Sequence, residues 1–367
     1  MNSLGFNKEC KNTKVVVAMS GGVDSSVVAV MLKNEGYDVI GMTMNLYSQT
    51  KTTSSKSCCS GVDIADAKKI AVQYNFPHIT LDYQDKFFEG VIDNFVESYG
   101  KGETPIPCIQ CNQTVKFRDL LQEAKKMNAD TLVTGHYVRR LGNQSNAKLF
   151  KAKDKTKDQS YFLFATLKDQ LDYVRFPLGG LLKSEIREMA KNYKLDIFEK
   201  PDSQDICFVT SNSYRELINK LNPKLNFEGN FIDSNGNILG KHLGIANYTI
   251  GQRKGLGIGG SRLPLYVINI NKNKNEILLG EEHLLKKTII SIEKINWLDD
   301  SIKKNNLKCS AKIRSTQKEM SGILNFYKNK AKFTFDEDIS TTSPGQACVL
   351  YLNDQVLGGG WITDTHN

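Results

Sequence analysis

The 367-residue sequence has no apolar run approaching the ~18 to 20 residues of a membrane-spanning helix, so a membrane protein is not expected. Its opening stretch, MNSLGFNKECKNTK, carries lysines but lacks the apolar segment of about 7 to 15 residues that makes a secretory leader. A cytoplasmic location is the resulting expectation. No self-similarity recurs at solenoid or propeller periods, which excludes a repeat array. Cys108 and Cys111 form a Cys-x-x-Cys pair, with no second such pair to complete a four-cysteine zinc site. The glycine-rich turn 20-SGGVDSS-26 lacks the lysine of GxxxxGK[ST] and does not match GxGxxG.

What is present narrows the class. A chain of 367 residues exceeds one ordinary core, since domains cluster near about 100 to 200 residues, and two or three domains are expected. The 49 Lys and Arg against 40 Asp and Glu leave a net charge of +9. That excess suits a polyanion such as nucleic acid, and a spread of solvated lysines gives the same sum. In a reducing compartment the eight cysteines are expected to be reduced, catalytic or metal-bound rather than paired as structural disulfides.

Up to about residue 210 strand-like and helix-like runs alternate. The runs 14-KVVVAM-19, 38-DVIGMTMN-45, 78-HITLD-82 and 131-TLVTGHYV-138 read as buried strands. Helical spacing occupies 27-VVAVMLKN-34, 64-IADAKKIAVQY-74, 87-FFEGVIDNFVESY-99 and 115-VKFRDLLQEAKKM-127, whereas 48-SQTKTTSSKSCCS-60 has no period and reads as a loop. The alternation predicts an α/β domain on a mainly parallel sheet covered by helices. Beyond Ser211 come glycine-rich turns and alternating strands, among them 265-LYVINI-270, 309-CSAKIRS-315, 331-AKFTFDE-337 and 346-QACVLYL-352, so the C-terminal third is predicted to be all-β.

A strand, then SGGVDSS, then a helix lets backbone amides and the hydroxyls of Ser20, Ser25 and Ser26 converge on phosphate oxygens, with the partial positive charge of the helix N-terminus behind them. Gly21 and Gly22 permit the tight turn and close approach. With no lysine for a terminal phosphate, the loop suits pyrophosphate while the α-phosphate is attacked. Asp24 is placed either to hold Mg²⁺ or to cap the helix. The Cys108–Cys111 pair admits a metal clamp, a redox pair, or one catalytic thiol with a neighbour. Cys111 precedes 112-NQTVKFRDLL-121, where a helix N-terminus would favour its thiolate. Cys10, Cys309 and Cys348 read as small buried hydrophobes, and Cys58 and Cys59 are undecided.

The loop 18-AMSGGVDSS-26 resembles the pyrophosphatase loop of enzymes that activate a carbonyl by adenylation. The segments 111-CNQTVKF-117, 134-TGHY-137, 157-KDQSYFL-163, 204-QDICF-208, 250-IGQRKGLGI-258 and 344-PGQ-346 are similar to those of the tRNA-specific 2-thiouridylase family, from about Lys14 to Trp361. The resemblance implies a parallel-sheet pyrophosphatase-loop domain with helices on both faces (residues 1–210), a small linking domain (211–282) and a C-terminal all-β barrel (283–367). It implies ATP with Mg²⁺ as cofactor, tRNA and a sulfur-donating protein, a cysteine desulfurase or a relay protein, as partners, and no resident metal site. By the same resemblance Cys207 carries a persulfide and Cys111 is the partner nucleophile. Ala18, Met19, Ser20, Gly21, Gly22, Val23, Asp24, Ser25, Met44 and Gly135 match nucleotide-contacting positions. His136, Lys157, Asp158, Gln159, Arg314 and Gln346 match tRNA-contacting positions. Cys108 departs from the family, in which an Asp commonly stands there, and is read as an auxiliary thiol.

The implied activity is ATP-dependent 2-thiolation of the wobble uridine, through an adenylated uridine and with release of pyrophosphate and AMP. Its rivals are another carbonyl-adenylating enzyme of the same loop type, such as an amidating synthetase, and a tRNA-binding protein without chemistry. Neither rival requires Cys111 or Cys207. The interleaved Lys, Tyr and Phe of 151-KAKDKTKDQSYF-162 suit phosphate contact with base stacking, and equally a solvated hairpin.

Overall fold

The computed structural model describes residues 1–46, 61–143, 145–202, 206–209, 213–259, 263–302, 305–328, 330–340 and 342–367. The chain divides into two compact units, the first made of Met1–Val91, Cys108–Thr210 and Asp354–Val356 and the second of Ile92–Pro107, Ser211–Asn353 and Leu357–Asn367. Among the described residues no helix is long and apolar enough to cross a membrane.

The first unit is built on five parallel strands. They are β1 (Lys14–Ala18), β2 (Asp38–Asn45), β3 (His78–Asp82), β4 (Thr131–Thr134) and, after a β5–β6 hairpin (Val138–Leu141 and Lys148–Lys151), the short β7 (Val174–Arg175). Their order is β3-β2-β1-β4-β7, with every pairing parallel. Val15, Val16 and Val17 of β1 are fully buried. A parallel strand covered on both faces reads as this kind of continuous β-branched run. Helices cover both faces, as the βαβα alternation predicted, and one core gathers Val15, Val17, Val27, Val30, Leu32, Val133 and Ile186. Helix α1 (Val23–Asn34) follows β1 and α2 (Gly61–Gln73) follows β2. The chain runs outward from β1 through β2 to β3, then returns to β4 on the other side of β1. Such a reversal opens a crevice at the carboxyl ends of β1 and β4, where open α/β sheets bind ligands. Ala18 and Thr134 are register partners at that edge.

The second unit holds a four-stranded sheet of order β10-β11-β8-β9, from β8 (Gly229–Ile232), β9 (Ile238–His242), β10 (Tyr266–Asn271) and β11 (Glu276–Gly280). It packs around Phe231, Ile245, Val267, Ile277 and Leu279. It also holds a closed antiparallel barrel of β12 (Lys286–Trp297), β13 (Leu307–Lys312), β14 (Met320–Tyr327), β15 (Lys330–Ser340), β16 (Ala347–Leu352) and β17 (Gln355–His366). The order β12-β15-β14-β13-β16-β17 closes through the β12–β17 pairing. Alternating inward residues such as Ala331, Phe333 and Phe335 on β15 fill the barrel.

Ahead of the strands of the second unit, Tyr214–Leu221 is a helix whose first turn is capped by the Ser213 hydroxyl on the Arg215 amide. Two local expectations are corrected. Residues 135–137 do not extend the fourth strand, since β4 ends at Thr134. Second, the helix expected from Asn112 begins at Pro107 and passes through Cys111 into an i→i+5 hydrogen-bonded stretch, Asn112–Leu120. Proline at the first helical position has no amide to leave unsatisfied, which is why the helix can start there. The loop expected over residues 48–60 lies outside the described residues.

Candidate functional site

The phosphate loop occupies the turn from β1 to α1. Gly21 has φ +72°, and a Cβ there would lie 2.2 Å from the Asp63 carbonyl oxygen. Only glycine meets both demands. Ser25 Oγ accepts from the Ser20 amide at 3.1 Å and lies 3.3 Å from Ser20 Oγ, so the two serines brace the turn. Gly135, just past β4, abuts the start of α1, with the Ser25 amide nitrogen 3.0 Å from where its Cβ would be. Met19 and Met44 are buried at the same carboxyl edge. The expected nucleotide positions Ala18, Met19, Ser20, Gly21, Gly22, Val23, Asp24, Ser25, Met44 and Gly135 therefore lie at the carboxyl ends of β1, β2 and β4 and in the turn and first residues of α1.

Asp24 does not cap α1, whose N-cap is Gly22 with no side-chain bond. Its carboxylate instead accepts from Lys183 Nζ at 2.7 and 2.8 Å and from the Tyr137 hydroxyl at 2.7 Å. Burial and the Asp24 charge push the Tyr137 hydroxyl far up, so it stays a donor. Lys183 also lies 2.8 Å from Asp202, which pairs with Lys157 at 2.7 Å. Burial raises the Asp202 carboxyl, but its bonds to Lys157 and Lys183 outweigh that and hold it below the usual range. With its oxygens already met by Lys183 and Tyr137, Asp24 does not fit a resident Mg²⁺.

Lys200 forms a second ionic junction on the loop. Its ammonium donates to the Gly21 carbonyl at 3.0 Å and to Asp63 and Asp66 of α2, each at 2.7 Å. Burial lowers its pKa, and the bonds to the two carboxylates reverse this and raise it. Lys157 apart, these charged partners, Lys183, Lys200, Asp202, Asp63 and Asp66, were not singled out from the sequence.

Cys108 is exposed, Cys111 buried and Cys207 half-buried. Because the helix starts at Pro107, Cys108 occupies its first turn and Cys111 the fifth position. The N-terminal field invoked for Cys111 therefore falls on Cys108, and that part of the expectation is corrected. Cys207 precedes buried Phe208, whose ring meets Phe87 edge-on at 5.9 Å. Cys309 and Cys348 are buried as expected, and Cys10 is half-buried against the core. Cys58 and Cys59, like Gln204 and Asp205 of the QDICF segment, lie outside the described residues. Among the described residues no group of three His, Cys, Asp or Glu side chains is placed to hold a metal ion.

The family model of the tRNA methyl transferase HUP domain matches residues 13–211. That of the tRNA methyl transferase PRC-barrel domain matches 216–281, and that of the aminomethyltransferase beta-barrel domain matches 287–362. A protein of Paracoccus denitrificans named tRNA-specific 2-thiouridylase MnmA is 49% identical over 368 residues, covering 99% of this chain and 95% of that one. Proteins of the same name from Rickettsia africae and a Wolbachia of Drosophila simulans are 50% and 51% identical. They cover 96% and 95% of this chain and 97% and 94% of their own. The chain belongs to the tRNA-specific 2-thiouridylase family.

In this 2-thiouridylase family member several of the polar positions matched to tRNA contacts are already engaged within the protein. Asp158 accepts from the Ala152 amide at 2.9 Å and the Ser160 hydroxyl at 2.7 Å, and Gln159 Oε1 accepts from the Tyr137 amide at 2.8 Å. These bonds shape the loop that presents Lys153, Lys155 and Lys157. The His136 ring meets Phe117 and Phe176 edge-on, with Nδ1 2.8 Å from Thr134 Oγ1. Burial and the Lys116 charge pull its pKa well down, which leaves a neutral imidazole. In the second unit Arg314 is exposed, and Gln346 donates to the Thr104 carbonyl at 2.8 Å. The Thr104 amide in turn donates to the Pro344 carbonyl at 2.8 Å, so the PGQ turn grips the start of the TPIPC loop. Arg253 and Lys254 are exposed on a turn that is not a strand hairpin.

Proposed function

We propose that the chain catalyses ATP-dependent 2-thiolation of the wobble uridine of tRNA. One coincidence carries this reading. A lysine-free phosphate loop at the switch point of a parallel sheet occurs in a chain 49 to 51% identical, over nearly its whole length, to proteins named tRNA-specific 2-thiouridylase. Residues 1–210 are the catalytic domain in this reading, 211–282 a linking domain and 283–367 a C-terminal barrel.

The loop from Ala18 to Ser25, with Met44 and Gly135, holds ATP as its Mg²⁺ complex. The uridine 2-carbonyl oxygen attacks the α-phosphate and pyrophosphate leaves. The terminal sulfur of a Cys207 persulfide, loaded by a sulfur-donating protein, attacks C2 and AMP leaves. Cys111 then attacks the Cys207 sulfur, which releases 2-thiouridine and leaves a Cys111–Cys207 disulfide for an external thiol to reduce. Cys108 is an auxiliary thiol. His136, Lys157, Asp158, Gln159, Arg314 and Gln346 form or shape the tRNA-facing surface, and the net charge of +9 supports a polyanion partner.

The test is incubation with unmodified tRNA, ATP, Mg²⁺ and a persulfide donor, followed by nucleoside analysis. The reading predicts 2-thiouridine together with AMP and pyrophosphate. AMP without 2-thiouridine favours an amidating synthetase, and tRNA binding without pyrophosphate favours a non-catalytic binder.

A further inference from the structure

Arg140 and Arg175 line one cavity of about 190 Å³ in the first unit, together with Ser3, Leu4, Gly5 and Asn143. Arg175, the last residue of β7, is only 6% exposed, and its guanidinium lies over the Phe6 ring at 4.7 Å. Its Nε donates to the Leu4 carbonyl at 2.9 Å, and its Nη1 donates to the Asp172 and Val174 carbonyls at 2.9 and 2.8 Å. Arg140, on β5, donates from Nε to the Leu171 carbonyl at 2.9 Å and from Nη1 to the Gly142 carbonyl at 3.2 Å. Its Nη2 donates to the Asn143 and Asp172 carbonyls at 2.9 and 3.2 Å.

A guanidinium carries five N–H donors. Among the described residues, both Nη2 hydrogens of Arg175 and one Nη1 hydrogen of Arg140 therefore have no partner. Every acceptor in use is a neutral backbone carbonyl, so neither guanidinium is bonded to an anion. The carboxylates bonded around them are engaged elsewhere, Asp172 with Lys168 and the Ala147 amide and Glu35 with the Ser3 hydroxyl. Burial and the Arg140 charge bring the Arg175 pKa down to about 10, although Asp172 raises it, and the group stays cationic at neutral pH. Two cations and three unused donors thus border one cavity. A phosphate accepts such guanidinium bonds in pairs, and its charge offsets the cost of holding two like charges together away from water.

We propose that this cavity binds one phosphate group through Arg175 Nη2 and Arg140 Nη1. At about 30 Å³ per water it has room for about six waters, enough for a phosphate and too little for a nucleotide. The sources of that chemistry are the free ion and a backbone phosphate of bound RNA. No residue of the phosphate loop lines the cavity, and the proposal does not rest on the thiolation reading.

Equilibrium dialysis of the full chain against labelled inorganic phosphate tests the free ion. Saturable binding is expected, weakened about tenfold or more in Arg175→Met, which removes two of the three donors. Asn143 is exposed, and its Oδ1 accepts from the Ser145 amide and hydroxyl at 3.2 and 3.3 Å. Asn143→Asp keeps those bonds and adds a negative charge at the cavity, so phosphate is expected to bind about threefold or more weakly. That variant carries the test alone if Arg175→Met does not fold. A second arm measures tRNA affinity against salt concentration. No free-phosphate binding, with tRNA affinity lowered by the same variants and a salt slope shallower by about one, assigns the site to a backbone phosphate. If neither variant changes the binding of either probe, the proposal is overturned, and phosphate bound equally by all three proteins then sits elsewhere on the chain.

Discussion

Lys183 and Asp24, 159 positions apart in the chain, form an ion pair in which both carboxylate oxygens lie within 2.8 Å of one ammonium. The Lys183 side chain is only 10% exposed, so its loss strands Asp24 and Asp202 without their shared cation. Hydrogen bonds to charged groups contribute about 1.5 to 3 kcal/mol, and Lys183→Met is expected to lower unfolding free energy by about 2 kcal/mol. Urea unfolding of the two proteins checks this. The same variant is expected to lose ATP-dependent pyrophosphate release, because the first turn of α1 loses its anchor.

Gly21→Ala tests the loop itself. The left-handed backbone and the Asp63 carbonyl both oppose a side chain there, at a cost of order 1 to 3 kcal/mol. A lower melting temperature and a raised half-saturating ATP concentration are expected. Retained wild-type ATP kinetics would contradict the placement of the phosphates on this turn.

The pH response of stability has a traceable contributor in His78. Burial, helped by the Lys68 charge, pulls its pKa from 6.5 down to about 4, and its Nε2 lies 2.8 Å from Thr43 Oγ1. Between those two values the unfolded chain binds a proton that the folded chain refuses. Stability from this group is therefore complete above about pH 6.5, falls as pH drops through the window, and levels off below about 4. His78→Gln is expected to flatten that slope in denaturant titrations run across the window.

Two thiols are expected to be inert in the folded protein. Burial pushes Cys309 up to about 12 and Cys348 well above its usual value, so neither supplies thiolate near neutrality. Peptide mapping after alkylation at pH 8 should find both unmodified until urea is added. Rapid native labelling of Cys348 would contradict its place in the barrel core.

The regular part of this architecture was readable because hydrophobic pattern repeats locally. Val15 to Val17, the run at Asp38–Asn45 and the amphipathic stretch before Gln73 each announce their own element. The phosphate loop was readable for the same reason, since Ser20 to Ser26 are contiguous. The helix Tyr214–Leu221 was missed although Ser213 and the spacing of Leu217, Ile218 and Leu221 signal it, because the surrounding glycine-rich turns dominated the reading. Pro107 likewise marked a helix start that was placed too late. Lys183, Lys200 and Asp202 lacked any such signal. A lysine that neutralises Asp24 looks like any solvated lysine until the fold brings residues some 160 positions apart into contact.

The proposed thiolation route places different demands on Cys108 and Cys111. Cys111→Ser should make activated uridine but no 2-thiouridine, whereas Cys108→Ser should retain product formation at a reduced rate. The reverse pattern would exchange their roles, and the first-turn position of Cys108 makes that exchange physically reasonable.

The most direct measurement of the central claim is 2-thiouridine content in unmodified tRNA after incubation with ATP, Mg²⁺ and a persulfide donor, for wild type and Cys207→Ser side by side. The account predicts product with wild type and none above background with Cys207→Ser. Equal product from both proteins would contradict it.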